Sequence, residues 1–278
     1  MIVDSQVHLW QAEAPDRPWP PGGAARAHLP HPFTIDQLLP MMDEAGVDRV
    51  VIVPPSWEGE RNDLALAAAK QYPDRFAVMG RITLNDPQAP ALLPTWKQQP
   101  GMLGIRLTFN GAQVNWLSDG TADWLWPAAA KAGVPIMILV AGRQAEFARI
   151  AENNPGTTFI LDHMALSADI VRVGNNAKAI ADTSALARFA NVSCKMSSAQ
   201  TRSLEPYPFR DMKPHLQRVF DAFGPQRCYW GTDITAKLSK ATYHQRITHF
   251  TETLDFMSDD DLDWVMGRAI LKRLGWPD

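Results

Sequence analysis

Eight short apolar or β-branched runs alternate with amphipathic stretches along the whole chain, and this alternation limits its fold more than any other feature. The runs cover residues 2–7, 50–53, 76–82, 103–108, 134–140, 158–162, 192–196 and 228–231. Eight run-plus-helix units predict an α/β fold in which a parallel sheet closes into a (β/α)8 TIM barrel. One barrel accounts for all 278 residues, so we expect a single domain over 1–278.

Local signals support helices between the runs. Thr34 and Asn62 are suited to open helices, while Gly46 and Pro73 are suited to end them. The predicted helices cover 35–44, 63–71, 122–132, 144–153, 177–189, 215–223, 243–257 and 260–274.

Two connections are much longer than is usual in such a barrel. Loop A (residues 11–32) is rich in proline and glycine, and loop B (residues 197–214) has no readable motif. Both follow a strand, so both would lie at the face of the barrel where active sites are built. We expect two candidate lids, with ordinary surface loops as the alternative.

Composition excludes several classes of partner. The net charge is −3 and no Lys/Arg-rich run occurs, which argues against nucleic acid and anionic membranes. No apolar stretch reaches the roughly 20 residues of a membrane span, and the N-terminus lacks a leader pattern, so a cytoplasmic protein is expected. Cys194 and Cys228 are expected to be buried reduced thiols. Barrels of this size often form dimers, which leaves a homodimer open.

Polar side chains stand at the ends of several predicted strands. Gln6 and His8 are two residues apart and therefore share a strand face. His163 and Asp233 end the sixth and eighth runs, where imidazoles and a carboxylate would meet at one barrel mouth. The alternatives are that Asp233 only caps a helix and that each histidine is structural.

These strand ends resemble those of the amidohydrolase superfamily, in its amidohydrolase-related (amidohydrolase 2) branch. The matching segments are Asp4-x-Gln6-x-His8, Gly104-Ile105-Arg106, Leu161-Asp162-His163 and Trp230-Gly231-Thr232-Asp233. The branch includes 2-pyrone-4,6-dicarboxylate lactonase, sulfomuconolactonase and a type of decarboxylase that acts on a muconate semialdehyde. The chain departs from the family pattern at one point, because Gln6 stands where the first motif histidine is expected.

The resemblance implies roles for the strand-end residues. Asp233 would take a proton from the attacking water and return it to the leaving group, while His8 and His163 would polarise the carbonyl. Arg106 would hold a substrate carboxylate through its bidentate donors.

Other residues near the same mouth would extend this binding site. Arg81 and Lys195 would add positive charge for a small anionic substrate, or would pair inside the barrel with carboxylates such as Asp4 or Asp162. Ser56 and Trp57 would supply a hydroxyl and an aromatic wall.

Five other histidines are interpreted as surface or lid residues. They are His28, His31, His215, His244 and His249.

The Gln6 departure also bears on metal binding. A glutamine amide is a poor substitute for imidazole at zinc, and Val140 and Ala141 supply no ligand at the fifth strand. A site without a metal cofactor is therefore preferred, with the Gln6 amide donating to substrate or water. The resembled lactonase also works without metal. If a metal is bound, His8, His163 and Asp233 would hold one divalent ion, zinc or manganese.

The preferred function is a hydrolase that opens a lactone or related cyclic ester of a small carboxylated molecule, such as an aromatic-catabolism lactone. The sequence has no Gly-x-Ser-x-Gly elbow and no dinucleotide or phosphate-binding loop, which argues against an acyl-enzyme and a nucleotide cofactor. The first alternative is a metal-dependent non-oxidative decarboxylase of an aromatic or muconate-like acid. The second is a barrel that binds ligands without catalysis.

Overall fold

A computed structural model describes residues 1–109 and 111–277, and its centre is one sheet of eight parallel strands. Each strand pairs with its neighbour in sequence, so the order is β1 to β8 around the sheet. The strands are β1 Val3–Val7, β2 Arg49–Ile52, β3 Phe76–Gly80, β4 Met102–Thr108, β5 Ile136–Leu139, β6 Phe159–Leu161, β7 Val192–Lys195 and β8 Cys228–Tyr229. The predicted (β/α)8 TIM barrel is confirmed.

Backbone hydrogen bonds join the first strand to the end of the eighth. Ser5 N donates to Trp230 O at 3.3 Å, and Asp233 N donates to Gln6 O at 2.8 Å. These bonds bring the first and last strands together, so residues more than 200 positions apart in sequence become neighbours at one mouth.

A buried carboxylate reinforces the same junction. Asp4 Oδ1 accepts from Thr232 N at 2.8 Å and from Gln6 N at 3.0 Å, while Asp4 Oδ2 accepts from Tyr243 OH at 2.8 Å and from the Thr232 hydroxyl. Asp4 is therefore committed to closing the barrel and not to chemistry at its mouth.

Thirteen α-helices surround the sheet in the described part of the chain. They are α1 Gly23–Arg26, α2 Ile35–Ala45, α3 Asp63–Gln71, α4 Ala89–Leu92, α5 Leu125–Ala132, α6 Gln144–Asn153, α7 Ala168–Arg172, α8 Asn176–Ser184, α9 Ala199–Arg202, α10 Lys213–Phe223, α11 Tyr243–Thr248, α12 Asp259–Asp263 and α13 Ala269–Leu274. Helical turns of other types extend several of them, including the 3-10 segment Leu93–Gln98 and the π segments His249–Thr253 and Trp264–Arg268.

The sequence predicted the longer helices and missed four short ones, α1, α4, α7 and α9. Helix α4 has only four residues and carries Pro90, and Pro94 follows at the start of the next 3-10 segment. Proline lacks the N–H that a helix interior needs, so this stretch has no long amphipathic pattern to recognise.

The expected helix signals act in different ways. Gly46 ends α2 in the left-handed conformation, with φ +72°, as predicted. Asn62 precedes α3 but makes no side-chain cap. Its side chain instead bonds to the backbone of Arg81, accepting from Arg81 N at 2.7 Å and donating to Arg81 O at 2.9 Å.

The interior is apolar below the mouth. Val3, Val51, Met79, Met137 and Tyr229 are among the buried side chains that fill the barrel. They lie inside the barrel, beneath the polar residues at the strand ends.

Three further expectations from the sequence can be compared with the described residues. Cys194 and Cys228 are buried free thiols, as expected. His249 is not a surface residue, because it is only 2% exposed and packs against Phe209 and Phe250. No helix within 1–109 or 111–277 is long and apolar enough to cross a membrane.

We predict that Gly231→Ala weakens the barrel closure. A β-carbon at this position would lie 2.5 Å from Ser5 Oγ and 3.3 Å from Asp4 Oδ1. The expected loss in the free energy of unfolding, measured by urea denaturation, is about 1–3 kcal/mol. The control is Gly156→Ala, whose β-carbon would lie at an ordinary 3.6 Å from Ala130 Cβ and should change stability by less than about 0.5 kcal/mol. Equal stabilities for the two variants would contradict this view of the closure.

Candidate active site

His8 and Asp233 face each other at the centre of the mouth. Each is 5% exposed, and His8 Nε2 lies 3.4 Å from Asp233 Oδ1. His8 Nδ1 lies 2.6 Å from Val53 O. A carbonyl oxygen only accepts, so a neutral His8 carries its proton on Nδ1 and presents a lone pair on Nε2.

Within the described chain, one carboxylate oxygen of Asp233 is hydrogen-bonded and the other is not. Its backbone has φ +50°, in the left-handed region that non-glycine residues rarely adopt. Oδ2 accepts from Ser198 Oγ at 3.0 Å. Oδ1 is buried and has no hydrogen-bond partner among the described residues. An ionised carboxylate with one unused buried oxygen is a candidate base.

His163 approaches the same centre from the end of β6. Its backbone is also left-handed, with φ +52°, and Ser198 after β7 has φ +64°. His163 Nδ1 lies 2.8 Å from Ser197 Oγ, and the ring is 4% exposed. Three strained residues at adjacent strand ends, His163, Ser198 and Asp233, indicate a functional site, where such strain is concentrated.

The protonation states at neutral pH follow from burial and charge. Burial lowers the pKa of His8 and of His163 to about 3, against the opposing charge of Asp233, so both rings are neutral. Burial alone would raise the pKa of Asp233. At the low pH where Asp233 would take up a proton, His28, His8 and His163 are protonated, and their positive charges and the Ser198 bond outweigh burial and hold this pKa well below its usual range.

Loop A brings His28 into the site. His28 Nδ1 lies 2.9 Å from Thr235 Oγ1, and the ring centroid lies 5.3 Å from that of His8. One ligand atom from each of His8, His28 and Asp233 lies within 4.8 Å of the other two. We call these three residues the His8–His28–Asp233 cluster.

The cluster fits a divalent ion. Two imidazole nitrogens and a carboxylate oxygen form a ligand set that catalytic zinc uses. The His8 Nε2 lone pair and the unpartnered Asp233 Oδ1 face each other at 3.4 Å, an arrangement that a cation or a proton would stabilise. The sequence predicted a set with His163 in place of His28, because a loop histidine gives no signal of where its loop folds.

The predicted cationic residues form a buried layer below the mouth. Lys195 is completely buried and donates to Asp162 Oδ1 at 2.8 Å, while Arg106 Nε donates to Asp162 Oδ2 at 2.7 Å. Arg106 Nη1 also donates to Thr108 Oγ1 at 2.6 Å. The pairing of Lys195 with Asp162 is the alternative that the sequence left open.

Arg81 is paired in a similar way. Its Nε donates to Glu60 Oε2 at 2.8 Å and its Nη2 donates to Glu60 Oε1 at 3.2 Å, and the guanidinium side chain is almost fully buried. Arg81, Arg106 and Lys195 therefore each face a carboxylate of the protein. Their role in binding a substrate remains a prediction.

Gln6 links this layer to His8. Its Oε1 accepts from Lys195 Nζ, and its Nε2 lies 3.2 Å from His8 Nε2. The glutamine oxygen is therefore already in use, and the side chain presents a donor, not a metal ligand, to the centre of the site.

Trp57 and Ser56 follow β2 in a 3-10 turn, Ser56–Glu58. The Trp57 ring lies with its centroid 5.4 Å from that of His8 and 4.6 Å from that of His28. Trp57 is buried, and its Nε1 has no hydrogen-bond partner in the part of the chain described. The predicted aromatic wall is positioned beside the two histidines, while Ser56 is only half-buried.

Loop B supplies residues that the sequence did not single out. Ser197 contacts His163, and Ser198 contacts Asp233. The short helix α9 follows them and ends at Arg202. Burial lowers the pKa of Arg202, and the charge of Asp233 opposes this shift. Arg202 Nε is buried without a hydrogen-bond partner within the described chain. Loops A and B thus both reach the site, and their opening as lids remains a prediction.

Known proteins share this fold and part of this sequence. A model of the amidohydrolase family matches residues 3–275. An L-fucono-1,5-lactonase of Burkholderia ambifaria is 28% identical over 236 residues, which cover 83% of this chain and 79% of that protein.

Two solved structures illustrate the likeness of fold. An amidohydrolase of Burkholderia multivorans with bound zinc has a TM-score of 0.83 at 21% identity, with both chains covered completely. A probable 2-pyrone-4,6-dicarboxylic acid hydrolase of Acinetobacter baumannii, with citric acid bound, has a TM-score of 0.78 at 16% identity over 99% of each chain.

We predict that Asp162→Asn strongly destabilises the protein. The substitution would leave the buried charges of Lys195 and Arg106 without their shared carboxylate, at a cost of about 3–5 kcal/mol in the free energy of unfolding. The control is Asp182→Asn, which breaks a more exposed pair with Lys178 and should cost less than about 1 kcal/mol. Urea denaturation measures both, and a small loss for Asp162→Asn would refute the importance of the buried layer.

Proposed function

Because the chain belongs to the amidohydrolase family, we propose that it is a hydrolase that opens a lactone or related cyclic ester with water activated by Asp233. The observation that carries this proposal is the buried, unpartnered Oδ1 of Asp233, which faces the lone pair of His8 Nε2. In this proposal a water molecule beside Oδ1 would donate one proton to the carboxylate. The relative named as an L-fucono-1,5-lactonase supports the choice of a cyclic ester.

The proposed reaction needs only water and the lactone. Water oxygen attacks the carbonyl carbon while its proton passes to Asp233 Oδ1. The ester C–O bond then breaks, and Asp233 returns the proton to the departing ring oxygen. The product is one hydroxy acid, and Asp233 is again ionised.

The two histidines would have different tasks. The His8 proton is committed to Val53 O, and the lone pair on His8 Nε2 accepts from the Gln6 amide at 3.2 Å, so His8 cannot polarise a carbonyl. His163 differs, because the Ser197 hydroxyl can donate to its Nδ1 and leave the proton on Nε2. We therefore assign polarisation of the carbonyl to His163, while His8 lines the site beside Asp233 Oδ1.

The charge balance of the site bears on the substrate. Arg81, Arg106 and Lys195 face Glu60 and Asp162, so these three cations do not by themselves require an anionic substrate. We propose a six-membered sugar lactone as the first candidate and a carboxylated lactone as the second. Every such lactone yields a carboxylate product, and Arg202 is the cation proposed to meet the charge that develops on the carbonyl oxygen.

A metal ion is a separate part of the proposal. The preferred site works without a metal; if one divalent ion, zinc or manganese, is bound, the His8–His28–Asp233 cluster would hold it, and the ion would lower the pKa of water and so ease its deprotonation. His163 would remain outside this set. The remaining alternative is a decarboxylase that uses such an ion, and the same fold is compatible with that reaction.

We predict that the purified protein hydrolyses L-fucono-1,5-lactone and releases no carbon dioxide from aromatic carboxylic acids. The test measures initial rates before and after chelator treatment. The substrates are this lactone, 2-pyrone-4,6-dicarboxylate and a substituted benzoic acid. The expected order is sugar lactone, carboxylated lactone, then no reaction. Carbon dioxide release without lactone opening would support the decarboxylase instead.

We predict that Arg202→Met lowers kcat/KM for the lactone. Loss of one hydrogen bond to a charged group costs about 1.5–3 kcal/mol, which corresponds to roughly 10- to 150-fold. Arg202→Lys should retain part of the activity. The control, Arg210→Met, removes an exposed arginine of the same loop and should leave kcat/KM unchanged. Wild-type kcat/KM in Arg202→Met would remove Arg202 from the proposed site.

A further inference from the structure

Lys195 has a fixed set of partners inside the barrel. Its ammonium group donates to Asp162 Oδ1 at 2.8 Å, to Gln6 Oε1 and to Met137 Sδ at 3.5 Å. An ammonium has three N–H donors and no acceptor, so these three contacts use all of them. Gln6 must therefore present its oxygen, not its nitrogen, to Lys195.

This orientation determines the next contact. With its oxygen held by Lys195, Gln6 directs its amide nitrogen to His8 Nε2 at 3.2 Å. The amide nitrogen can only donate, and His8 Nδ1 is paired with Val53 O at 2.6 Å. Each donor in the series Lys195, Gln6 and His8 thus has one possible direction, and all three residues are buried.

The same lone pair of His8 faces Asp233 Oδ1 at 3.4 Å, within the His8–His28–Asp233 cluster. A cation bound there would compete with the Gln6 amide for His8 Nε2. The oxygen of Gln6, which could have been an additional ligand, points away to Lys195. The amide nitrogen of Gln6 therefore occupies the ligand atom of His8. The bond to Lys195 also keeps the Gln6 oxygen from acting as a ligand.

We propose that Lys195 and Gln6 are positioning residues that fix the direction of the His8 lone pair and keep the affinity of the cluster for divalent ions low. Neither residue touches the reacting atoms in this role. The inference rests on the cluster and on the proposed lactonase site, but it concerns metal affinity and not the identity of the lactone.

The test is zinc affinity in Gln6→Leu, measured by competition with a chromophoric chelator. Leucine is similar in size and removes the amide donor, so His8 Nε2 becomes fully available to the ion. The competing hydrogen bond that is removed is worth about 0.5–1.5 kcal/mol, which corresponds to roughly 2- to 10-fold, and we expect zinc to bind Gln6→Leu more tightly than the wild type by this factor.

A matched control separates this effect from the loss of any buried amide. Gln144 is 6% exposed and donates to Ala165 O and Thr183 Oγ1, away from the His8–His28–Asp233 cluster. Gln144→Leu should leave zinc affinity unchanged. Zinc affinity in Gln6→Leu that is equal to or weaker than that of the wild type would overturn the proposal.

A measurement on the wild type keeps the proposal testable if Gln6→Leu does not fold. The 15N shifts of histidine-labelled protein report which ring nitrogen carries the proton, with His8 assigned from its missing signal in His8→Gln. We expect metal-free His8 to be protonated on Nδ1 with Nε2 as an acceptor. A proton on Nε2 would refute the series of donors. A protein that passes these tests but opens no lactone would refute only the proposed function.

Discussion

The hydrogen bonds between the first strand and the residues after β8 hold the whole site in place. Asp233 N donates to Gln6 O, and the Asp4 carboxylate accepts from Thr232 and from Tyr243. Without this junction the first and last strands would be two edges of an open sheet, because the other seven pairings run in sequence order. The junction places Asp233, whose backbone is left-handed, beside His8. The geometry of the proposed base is thus a direct result of barrel closure.

The buried charges below the mouth give the site its rigidity. Lys195 and Arg106 share the Asp162 carboxylate, and Lys195 also holds Gln6. Such groups are costly to bury unless every one is paired, so their mutual contacts leave little freedom for rearrangement. Electrostatic groups that are already oriented need no reorganisation during a reaction. The proposed division of tasks between His8 and His163 depends on this fixed orientation.

Some of the site could be predicted from the sequence, and some could not. His8 and His163 stand at or near strand ends, and Asp233 follows β8 closely, where alternation and the order of the units indicate one common mouth. His28 and Arg202 lie in loops A and B, which have no periodicity to show where a side chain will point. Their roles depend on contacts such as that of His28 with Thr235, 207 positions away.

The sequence left the pairing of the cations open. The alternation of strands placed Arg81, Arg106 and Lys195 near the mouth, but only the structure shows that Glu60 and Asp162 face them. Asn62 illustrates the same limit. It predicted the start of α3 correctly, but its side chain bonds to Arg81, which follows β3, and does not cap the helix. Local patterns predict the elements, and long-range contacts decide what each polar side chain does.

The most direct test of this account is the turnover number of chelator-treated Asp233→Asn with the lactone that the wild type opens fastest. Asparagine keeps the size of the side chain and can still accept from Ser198, but it cannot take a proton from water. The account predicts that kcat falls by roughly 10²- to 10⁴-fold while lactone binding and the melting temperature stay close to those of the wild type. Near-normal turnover in this folded variant would contradict the assignment of Asp233 as the base.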